Sequence, residues 1–599
     1  MILKLIVAFL VLGIAYLWAM RGFFNALMHG VAVVVGGAIA FAVWEPVSLA
    51  IVNAAPVSGV GRVVGSTAWS IGLIVPFVVA TLVVRVVLDK TVPANVKLAR
   101  PAEYAGGGVC GLGIGILTVG ILVIALGATR FNAGFMGYRP LWYNEDRTAG
   151  SGSLKLNDSL WIPADKLTAS FYGSLSQRAF AAPEPLAKWY PDLHAVAYAN
   201  RIASEKITPV VSIKAGDASI VGRYTVAAEG APVSELLKFD LEGSLANMAY
   251  ADANGEQVSN GSLAGYVLKF EAGAKDPGKS GAGQVIFSNG QARLVCQRDD
   301  GSTFNVFPVA MISQAASGDA TYGRWRFDAE EVVLASVGGA STVTLGLEFV
   351  VPQGSEPIGL FVKNTRFDLD DIAGEPTAYR SIRERDRTVP TGGILSGDEP
   401  APEFNEDNAV TIDPTREESH ILISNQLGGR RAMHVAVAKR VMDVDDNNRI
   451  TFGSGQWEPS DFSRPPTDRK LRVDRFAVGD GQVIVQVDMH EGTPGNLNGP
   501  VARTIDADEP IRLLDTAGQA YDAIGYIYNE ADEVHIRYTP SDPLDGSVDL
   551  PRTLSSSRTD QTLRIVFLCS YGVHLDKLAI GDTVLLQFEP TLELDVRQN

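Results

Sequence analysis

The sequence has few of the residues on which catalytic and metal sites usually depend. Its 599 residues include 3 cysteines and 7 histidines, and their spacing fits no metal-binding motif. Cys296 and Cys569 fall in different parts of the chain, so no disulfide within one domain is expected. No G-x-S-x-G or G-D-S-G-G motif occurs, and the histidines have no triad context. The sequence therefore predicts no cofactor, no metal and no enzyme activity.

Acidic residues are almost absent from the first 130 residues, which contain 3 Asp and Glu beside 8 Lys and Arg. Four apolar stretches occupy this region instead, and each approaches the ~20 residues that a helix needs to cross a bilayer. The predicted spans are residues 2–20, 23–44, 69–88 and 106–128. We expect all four to be retained as membrane helices, with the lipid bilayer as a partner of the chain.

Beyond residue 130 the charge balance reverses, with 43 Lys and Arg against 65 Asp and Glu. A portion this acidic argues against a nucleic-acid partner, because phosphate binding requires a basic surface. Basic residues near membrane helices concentrate in cytoplasmic loops. One end of the predicted spans carries a cluster of them, namely Arg21, Arg85, Lys90, Lys97 and Arg100. This distribution predicts that both termini and the acidic portion lie outside the cytoplasm.

Residues 131–206 are predicted to form a helical segment next to the membrane. Leu167, Phe171, Leu175 and Ala179 recur at every fourth position, as they would on one face of a helix. Two interpretations are open. The helix lies on the membrane surface, or it packs against the next domain, which is the simpler explanation.

From about residue 207 short runs of Val, Ile, Phe and Tyr alternate with turn residues, which is typical of β-strands. Four runs recur at an offset of 217 to 219 residues. The matched runs begin at Tyr266 and Ile484, Ala292 and Ile511, Thr344 and Thr562, and Leu360 and Leu578. A constant offset predicts two copies of one domain, residues 207–372 and 419–599. An acidic, Pro/Gly-rich linker, residues 373–418, is expected to be flexible between them.

The predicted fold is therefore multidomain. An N-terminal α-helical bundle of four transmembrane spans (residues 1–130) precedes two tandem all-β sandwiches. The order of strands and hairpins in each copy resembles the immunoglobulin-like domains attached to bacterial envelope proteins.

Small residues at four-residue spacing mark two of the predicted spans. The two sets are Gly107, Gly111 and Gly115 in the fourth span, and Ala32, Gly36 and Ala40 in the second. Because lipid offers no hydrophobic drive for helix association, close backbone approach at small residues supplies the attraction. We expect these two faces to meet, either within one chain or between chains in a self-associated form.

Two short motifs accompany the spans. Arg21-Gly22-Phe23 opens the second span, and Arg100 precedes the glycine series of the fourth. Together with four closely spaced spans, these motifs resemble the colicin V production protein (CvpA) family, although Ala26 stands where that family usually has glycine. The resemblance implies an inner-membrane protein linked to toxin production and envelope homeostasis. It also implies that extracytoplasmic domains can follow the fourth span, and it brings no chemical mechanism.

Three further features have simple structural explanations. Residues 106–111 satisfy G-x-G-x-x-G, but they open a membrane span instead of following a strand. Residues 443–448 resemble the start of a calcium loop but lack its glycine, so a solvated turn is the better interpretation. Asn25 and His29 share one face of the second span, where polar groups are costly and often functional. For His29 we expect a hydrogen bond to a neighbouring helix, because the predicted spans contain no acidic residue to complete a proton relay.

The sequence as a whole favours a structural or interaction role in the cell envelope, with binding faces on the two sandwiches. We expect protein partners or self-association in the membrane. One alternative is a transport or channel component that oligomerises through the glycine faces. The other, a membrane-tethered hydrolase, is disfavoured because no catalytic motif is present.

Overall fold

Both the membrane portion and the β-rich portion are folded in the computed structural model. It describes residues 1–599 except 56–58, 93–97, 130, 132–133, 144–153, 181–183, 202–210, 238–249, 276–283, 315–321, 328–332, 336–338, 340, 390–392, 396–403, 429–432, 464–466, 480, 517, 552–557, 559 and 596–599. The α-helices are α1 (Ile2–Arg21), α2 (Phe23–Ala54), α3 (Gly59–Ser66), α4 (Ala68–Thr91), α5 (Arg100–Gly127), α6 (Ala164–Gln177), α7 (Leu186–Trp189), α8 (Leu193–Val196), α9 (Val233–Leu236), α10 (Ile382–Asp386), α11 (Val435–Val441) and α12 (Ser460–Ser463).

Helices α1, α2, α4 and α5 are long and apolar enough to cross a membrane, which confirms the predicted four-helix membrane portion. Helix α2 is longer than predicted, because it continues through Pro46 to Ala54. Proline removes one backbone hydrogen bond from a helix, but contacts with α4 hold α2 in place around Pro46. Before it, the indole N–H of Trp44 donates to the carbonyl of Trp69 at 2.7 Å. Glu45 therefore lies inside α2 and not in a loop after it.

The two ends of the bundle are fixed by polar contacts. Helix α1 packs along α5, and α2 packs along α4. At one end, Arg85 of α4 donates to the side-chain oxygen of Asn25 at 2.5 Å. At the other end, Lys4 forms an ion pair with Asp158 at 2.5 Å. Because Asp158 belongs to the segment that leads to the β-rich portion, the N-terminus and that portion share one side of the bundle.

Helix α6 packs into the side of the bundle and bonds to it through two buried hydroxyl groups. Its buried Thr168 and Tyr172 donate to backbone carbonyls of α5 and α2, at 3.1 and 3.0 Å. Leu167 and Phe171, by contrast, are 46% and 37% exposed. The exposed face is mixed, because Lys166, Ser170 and Ser174 are exposed beside these two apolar residues. The sequence suggested packing against the next domain or on the membrane surface, whereas α6 is held between α2 and α5.

The β-rich portion begins with an antiparallel pair, β1 (Leu141–Tyr143) and β2 (Leu154–Leu156). Two groups of strands follow. The first is β3 (Ala218–Pro232), β4 (Tyr250–Ala251), β5 (Gln257–Val258), β6 (Asn260–Phe270), β7 (Val285–Phe287), β8 (Ala292–Arg298), β9 (Thr303–Val306), β10 (Ala310–Gln314), β11 (Tyr322–Arg326), β12 (Val333–Ala335), β13 (Val343–Pro352), β14 (Ser355–Val362), β15 (Thr365–Asp368) and β16 (Thr377–Tyr379). The second is β17 (Val410–Ile412), β18 (Ile421–Ile423), β19 (Met433–His434), β20 (Met442–Val444), β21 (Ile450–Trp457), β22 (Arg472–Val473), β23 (Gln482–Asp488), β24 (Ile511–Asp515), β25 (Ala520–Asn529), β26 (Val534–Tyr538), β27 (Thr562–Ser570), β28 (His574–Ile580) and β29 (Thr583–Glu593).

Each group forms a sandwich, and the order of neighbouring strands is the same in both. In the first, the sheets are β11-β10-β13-β6-β3 and β15-β14-β8-β9; in the second, β26-β25-β27-β23-β18 and β29-β28-β24-β25. Apolar side chains from both sheets form one buried core in each sandwich. The pairing of Leu294 with Leu360 recurs as Leu513 with Leu578. Strand order and register thus follow the offset of the sequence repeat.

The two sandwiches differ where the chain passes from one sheet to the other. In the second, β25 pairs first with β24 and then with β27, with an irregularity between Ala523 and Gly525. In the first, the equivalent chain is divided into β9 and β10, and Pro308 lies between them. A bulge bends a strand, and a proline interrupts its hydrogen bonding. Each feature therefore allows the chain to pass from one sheet to the other at the equivalent position.

Part of the predicted linker, residues 373–418, is folded against the first sandwich. β16 pairs in parallel with β3, and Arg385 of α10 is fully buried beside Glu348 of β13. Glu348 also accepts hydrogen bonds from Arg324 at 2.6 Å and from Tyr224 at 2.9 Å. The expectation of a flexible linker is wrong for this part of the segment. Its acidic, Pro/Gly-rich composition suggested a solvated chain, whereas a buried ion pair holds it on the first sandwich.

Candidate functional site

The glycine face of α5 is covered by α1. A Cβ atom added at Gly107 would lie 2.8 Å from the carbonyl oxygen of Trp18, and one at Gly111 would lie 2.8 Å from the Trp18 Cβ. A Cβ at Gly115 would lie 2.9 Å from the carbonyl oxygen of Val11. The three glycines therefore allow the backbones of α1 and α5 to approach closely, as small residues do in lipid.

The small-residue face of α2 is covered by other parts of the same chain. Gly36 lies directly against Thr81 of α4, and Ala32 and Ala40 are fully buried. The expectation that the α2 and α5 faces meet is therefore wrong. Four-residue spacing identifies a face of a helix, but it does not identify the helix that covers it.

The residues of the two short motifs that accompany the spans lie around one tight connection. Gly22 is the single residue between α1 and α2, and its φ of +88° is a backbone conformation that favours glycine. Phe23 packs directly on Gly106 of α5. The Arg21 guanidinium lies 5.2 Å from the centre of a tryptophan ring of α1, and Arg100 is exposed as the first residue of α5. The two motifs thus form the joint between the first two spans and the start of the fourth.

Asn25 and His29 contact different neighbouring helices. Asn25 accepts from Arg85, which also pairs with Asp89 at 2.9 Å. The His29 ring stacks on Trp18, with 4.5 Å between centroids and an interplanar angle of 22°. The contact of His29 with a neighbouring helix is therefore ring stacking, whereas the hydrogen bond between helices is made by Asn25.

The two ligand-like motifs are parts of regular structure. Residues 106–111 lie within α5, and residues 443–448 lie at the turn between β20 and β21. At that turn Asp445 accepts from the backbone N–H of Asn447 at 2.9 Å and pairs with Arg449 at 2.7 Å. Within the part of the chain that the structure describes, no group of three or more His, Cys, Asp or Glu side chains could hold a metal ion.

A cavity of about 490 Å³ lies where α2, α6, α7 and the first sandwich meet. We call it the junction pocket. Its apolar wall includes Ala38 and Phe41 of α2 and Leu175 of α6, while Glu45 and Arg366 belong to its polar rim. Glu45 of the bundle and Arg366 of the first sandwich therefore line the same cavity.

The level of the junction pocket follows from its place along α2. Glu45 stands 22 residues after Phe23, the first residue of α2, which corresponds to about 33 Å of helix. The apolar layer of a bilayer is about 30 Å thick, so a near boundary at Phe23 would place the far boundary close to Glu45. Phe41 and Ala38 lie one and two turns deeper.

The polar rim consists of two carboxylates that share one guanidinium. Arg366 of β15 approaches Glu184 at 2.9 Å and Glu45 at 3.3 Å. The hydroxyl of Tyr190 donates to the second oxygen of Glu45 at 3.4 Å. The Arg366 guanidinium also lies over the Trp189 ring, 4.5 Å from its centre. Together these contacts attach the first sandwich to α2 and to the α7 region.

A second arginine supports the junction from inside the sandwich. Arg293 of β8 donates to the carbonyl of Trp189 at 3.0 Å and to the side chain of Asn305 at 2.9 Å. Its guanidinium lies 3.6 Å from the centre of the Phe361 ring. Burial lowers the pKa of Arg293 to about 10, so the side chain stays charged at neutral pH. Arg293 therefore holds α7 on the sandwich without entering the pocket wall.

Sequence analysis missed the junction pocket. The predicted second span ends at residue 44, which leaves Glu45 outside it, whereas α2 continues through Glu45. Arg366 is distant in sequence, and no local pattern connects the two residues. The signal that could have drawn attention to the site is Trp44-Glu45-Pro46, a charged residue beside tryptophan at the end of an apolar run.

The chain was compared with family models, curated proteins and solved structures, and nothing in any of the three comparisons matches it.

Proposed function

We propose that the protein is an inner-membrane protein of the CvpA type with a structural or interaction role in the cell envelope. It displays its two β-sandwiches outside the cytoplasm to protein partners. The observation that carries this proposal is the attachment of Arg366 to Glu45 and Glu184 at the junction. A display role requires that a binding face keep its orientation to the membrane, and this ion-pair cluster supplies such a constraint.

Orientation in the membrane can be tested with single cysteines and an impermeant maleimide. Glu356 is exposed on the first sandwich, and Arg100 is exposed at the opposite end of the bundle. Native Cys296 and Cys569 are buried and give little background. We expect Glu356→Cys to be labelled in intact spheroplasts and Arg100→Cys to be labelled after lysis. The reverse pattern would contradict the proposed orientation.

The interaction role can be tested by photo-crosslinking of the full chain in its membrane. Trp325 and Leu422 are 40% and 43% exposed on edge strands of the two sandwiches, and unpaired strand edges are common contact sites. A photoreactive residue at either position should give a discrete protein adduct. The matched position is Val78 of α4, which is 46% exposed on a membrane helix and should crosslink to lipid. Lipid adducts or no adducts at both sandwich positions would contradict the interaction role.

Neither alternative gains a specific observation from the described residues. The interior of the bundle is a cluster of buried apolar side chains, which gives no polar pathway to assign to a transport component. Among the histidines, His535 pairs with Glu533 at 2.8 Å and His420 lies 3.5 Å from Asp488. These contacts need no catalytic explanation, so they give the hydrolase no support.

A further inference from the structure

We propose that the junction pocket binds one zwitterionic aminophospholipid. An acyl chain would occupy the apolar wall, the phosphate would face Arg366, and the ammonium group would be bound by Glu45 and Glu184. This inference depends on the membrane position of α2 and not on the proposed envelope role.

The size and composition of the junction pocket suit an amphiphilic molecule. Its volume of about 490 Å³ falls within the roughly 300–1,000 Å³ that small-molecule sites usually have. Phe41, Leu175 and Phe180 contribute apolar surface, and Phe180 is 44% exposed. A cavity of this kind beside lipid gains more from an acyl chain than from water, because apolar surface is then covered by apolar atoms.

The order of groups along the pocket matches the order of groups in a phospholipid. With the near boundary of the apolar layer at Phe23, Ala38 and Phe41 lie below its far boundary, Glu45 lies close to it, and Arg366 and Glu184 lie on the sandwich side. A lipid places its chain, phosphate and head group in the same order across this boundary. A wholly polar ligand would leave the deep wall unmatched, and a wholly apolar ligand would leave the charged rim unmatched.

The charges of the rim favour an ammonium group. Among the side chains that line the pocket, two carboxylates share Arg366, so the lining has one negative charge in excess, while Arg293 acts on Glu45 from inside the sandwich. Glu45 is held at 3.3 and 3.4 Å, which is longer than the roughly 2.7–2.9 Å of a tight charged hydrogen bond. The nearby Arg293 is directed into the sandwich by its bonds to Trp189 and Asn305. A primary ammonium would therefore supply donors to a carboxylate that is weakly bonded within the protein.

The same geometry predicts which lipid is rejected. A primary ammonium carries three N–H donors, whereas the quaternary ammonium of a choline lipid carries none. A phosphatidylglycerol head adds no positive charge, so it leaves the excess negative charge of the rim unbalanced. Phosphatidylethanolamine should thus be retained at least about tenfold better than phosphatidylcholine of the same chains, since one charged hydrogen bond is worth about that factor.

The test is native mass spectrometry of the full-length protein, released from micelles that contain equal amounts of phosphatidylethanolamine, phosphatidylcholine and phosphatidylglycerol. We expect one tightly retained phosphatidylethanolamine. Ala42 lines the pocket from α2, so Ala42→Trp should fill it and abolish retention. Ala50 is exposed on the same helix outside the pocket wall, so Ala50→Trp should keep the lipid. Retention by Ala42→Trp would overturn the proposal.

A charge variant tests recognition of the head group without filling the cavity. Glu184 has a half-exposed side chain, so Glu184→Gln should leave the fold intact and lower the preference for phosphatidylethanolamine about tenfold. The control is Glu356→Gln, an exposed position on the first sandwich. Equal retention of the ethanolamine and choline lipids by the unaltered protein would overturn the proposal. The maleimide test of orientation is independent of this result, so the two proposals can fail separately.

Discussion

The contact between α1 and α5 allows a sharp test of the role of the membrane glycines. Gly111→Ala adds one methyl group at the centre of this contact. The new Cβ would lie 2.8 Å from the Trp18 Cβ, 2.9 Å from the Ala15 carbonyl oxygen and 3.0 Å from the Ala15 Cα. Two of these atoms belong to the backbone of α1, so a change of rotamer cannot relieve the overlap.

The magnitude of the effect follows from these distances. Carbon atoms pack best at about 3.5–4.0 Å, so α1 must move outward by several tenths of an ångström or more. Such a movement also loosens the contacts at Gly107 and Gly115, which lie on the same face. Overpacking of a closely packed site costs about 1–3 kcal/mol. We therefore expect Gly111→Ala to weaken the association of α1 with α5 by about this amount.

Gly113 provides a matched control on the same helix. A Cβ added there meets no atom within 4 Å, and the residue is exposed. Gly113→Ala makes the same chemical change, and alanine has the higher helix propensity by about 1 kcal/mol. The free energy of separating α1 from α5 in micelles can be measured by steric trapping, with one biotin label beside each helix. Gly113→Ala should leave this free energy unchanged or slightly increased.

The comparison of the two variants tests whether close approach at the glycine face stabilises the contact between α1 and α5. If Gly111→Ala is as stable as Gly113→Ala, α1 does not depend on close approach at the glycine face, and the packing described for α5 is incorrect. If both variants are destabilised equally, the cost comes from lipid contact or another effect common to both positions and not from α1, because alanine raises helix propensity at both. Gly111→Leu should be at least as destabilising as Gly111→Ala, because it adds volume at the same contact.

Three further predictions concern other parts of the chain. Gly22→Ala should lower the same separation free energy by about 1–3 kcal/mol, since its φ of 88° and ψ of 159° lie in a region that essentially only glycine adopts. Burial raises the pKa of the Cys296 and Cys569 thiols, so mass spectrometry should find neither modified by maleimide until the protein is denatured. Burial lowers the pKa of Lys275 to about 8 from 10.5, so the unfolded state binds more protons between these values. Thermal stability should therefore rise with pH across this window, and Lys275→Met should remove the rise.

The membrane helices were predictable from sequence because length and hydropathy alone define them. Their partners were not. The spacing of Gly111 and its neighbours identifies a smooth face, but the choice of α1 over α2 depends on where Ala15 and Trp18 lie in three dimensions. The tight connection at Gly22, between α1 and α2, also lies against Gly107 of α5. The periodicity of a single helix does not reveal such a contact.

The two copies of the β-domain were predictable because a constant offset survives changes in individual residues. Register follows from the same offset, as the pairs Leu294–Leu360 and Leu513–Leu578 demonstrate. The corner between sheets was not predictable, because Pro308 turns the chain in one copy and a strand irregularity turns it in the other. The folded part of the linker was missed for a related reason, since composition does not reveal that Arg385 has a buried partner.

Helix α6 explains why the junction escaped sequence analysis. A stripe of apolar residues at every fourth position, such as Leu167 and Phe171, faces the core when the solvent is water. In α6 Leu167 and Phe171 of this stripe are exposed, Leu175 lines the junction pocket, and the hydroxyls of Thr168 and Tyr172 are buried against α5 and α2. The pattern has this meaning because the surrounding solvent is lipid. Membrane helices that are followed by a sandwich in water must place their common boundary at the headgroup level. The junction pocket lies at that boundary, so its occupant has to satisfy both solvents, and this requirement selects an amphiphile over a purely polar or purely apolar ligand.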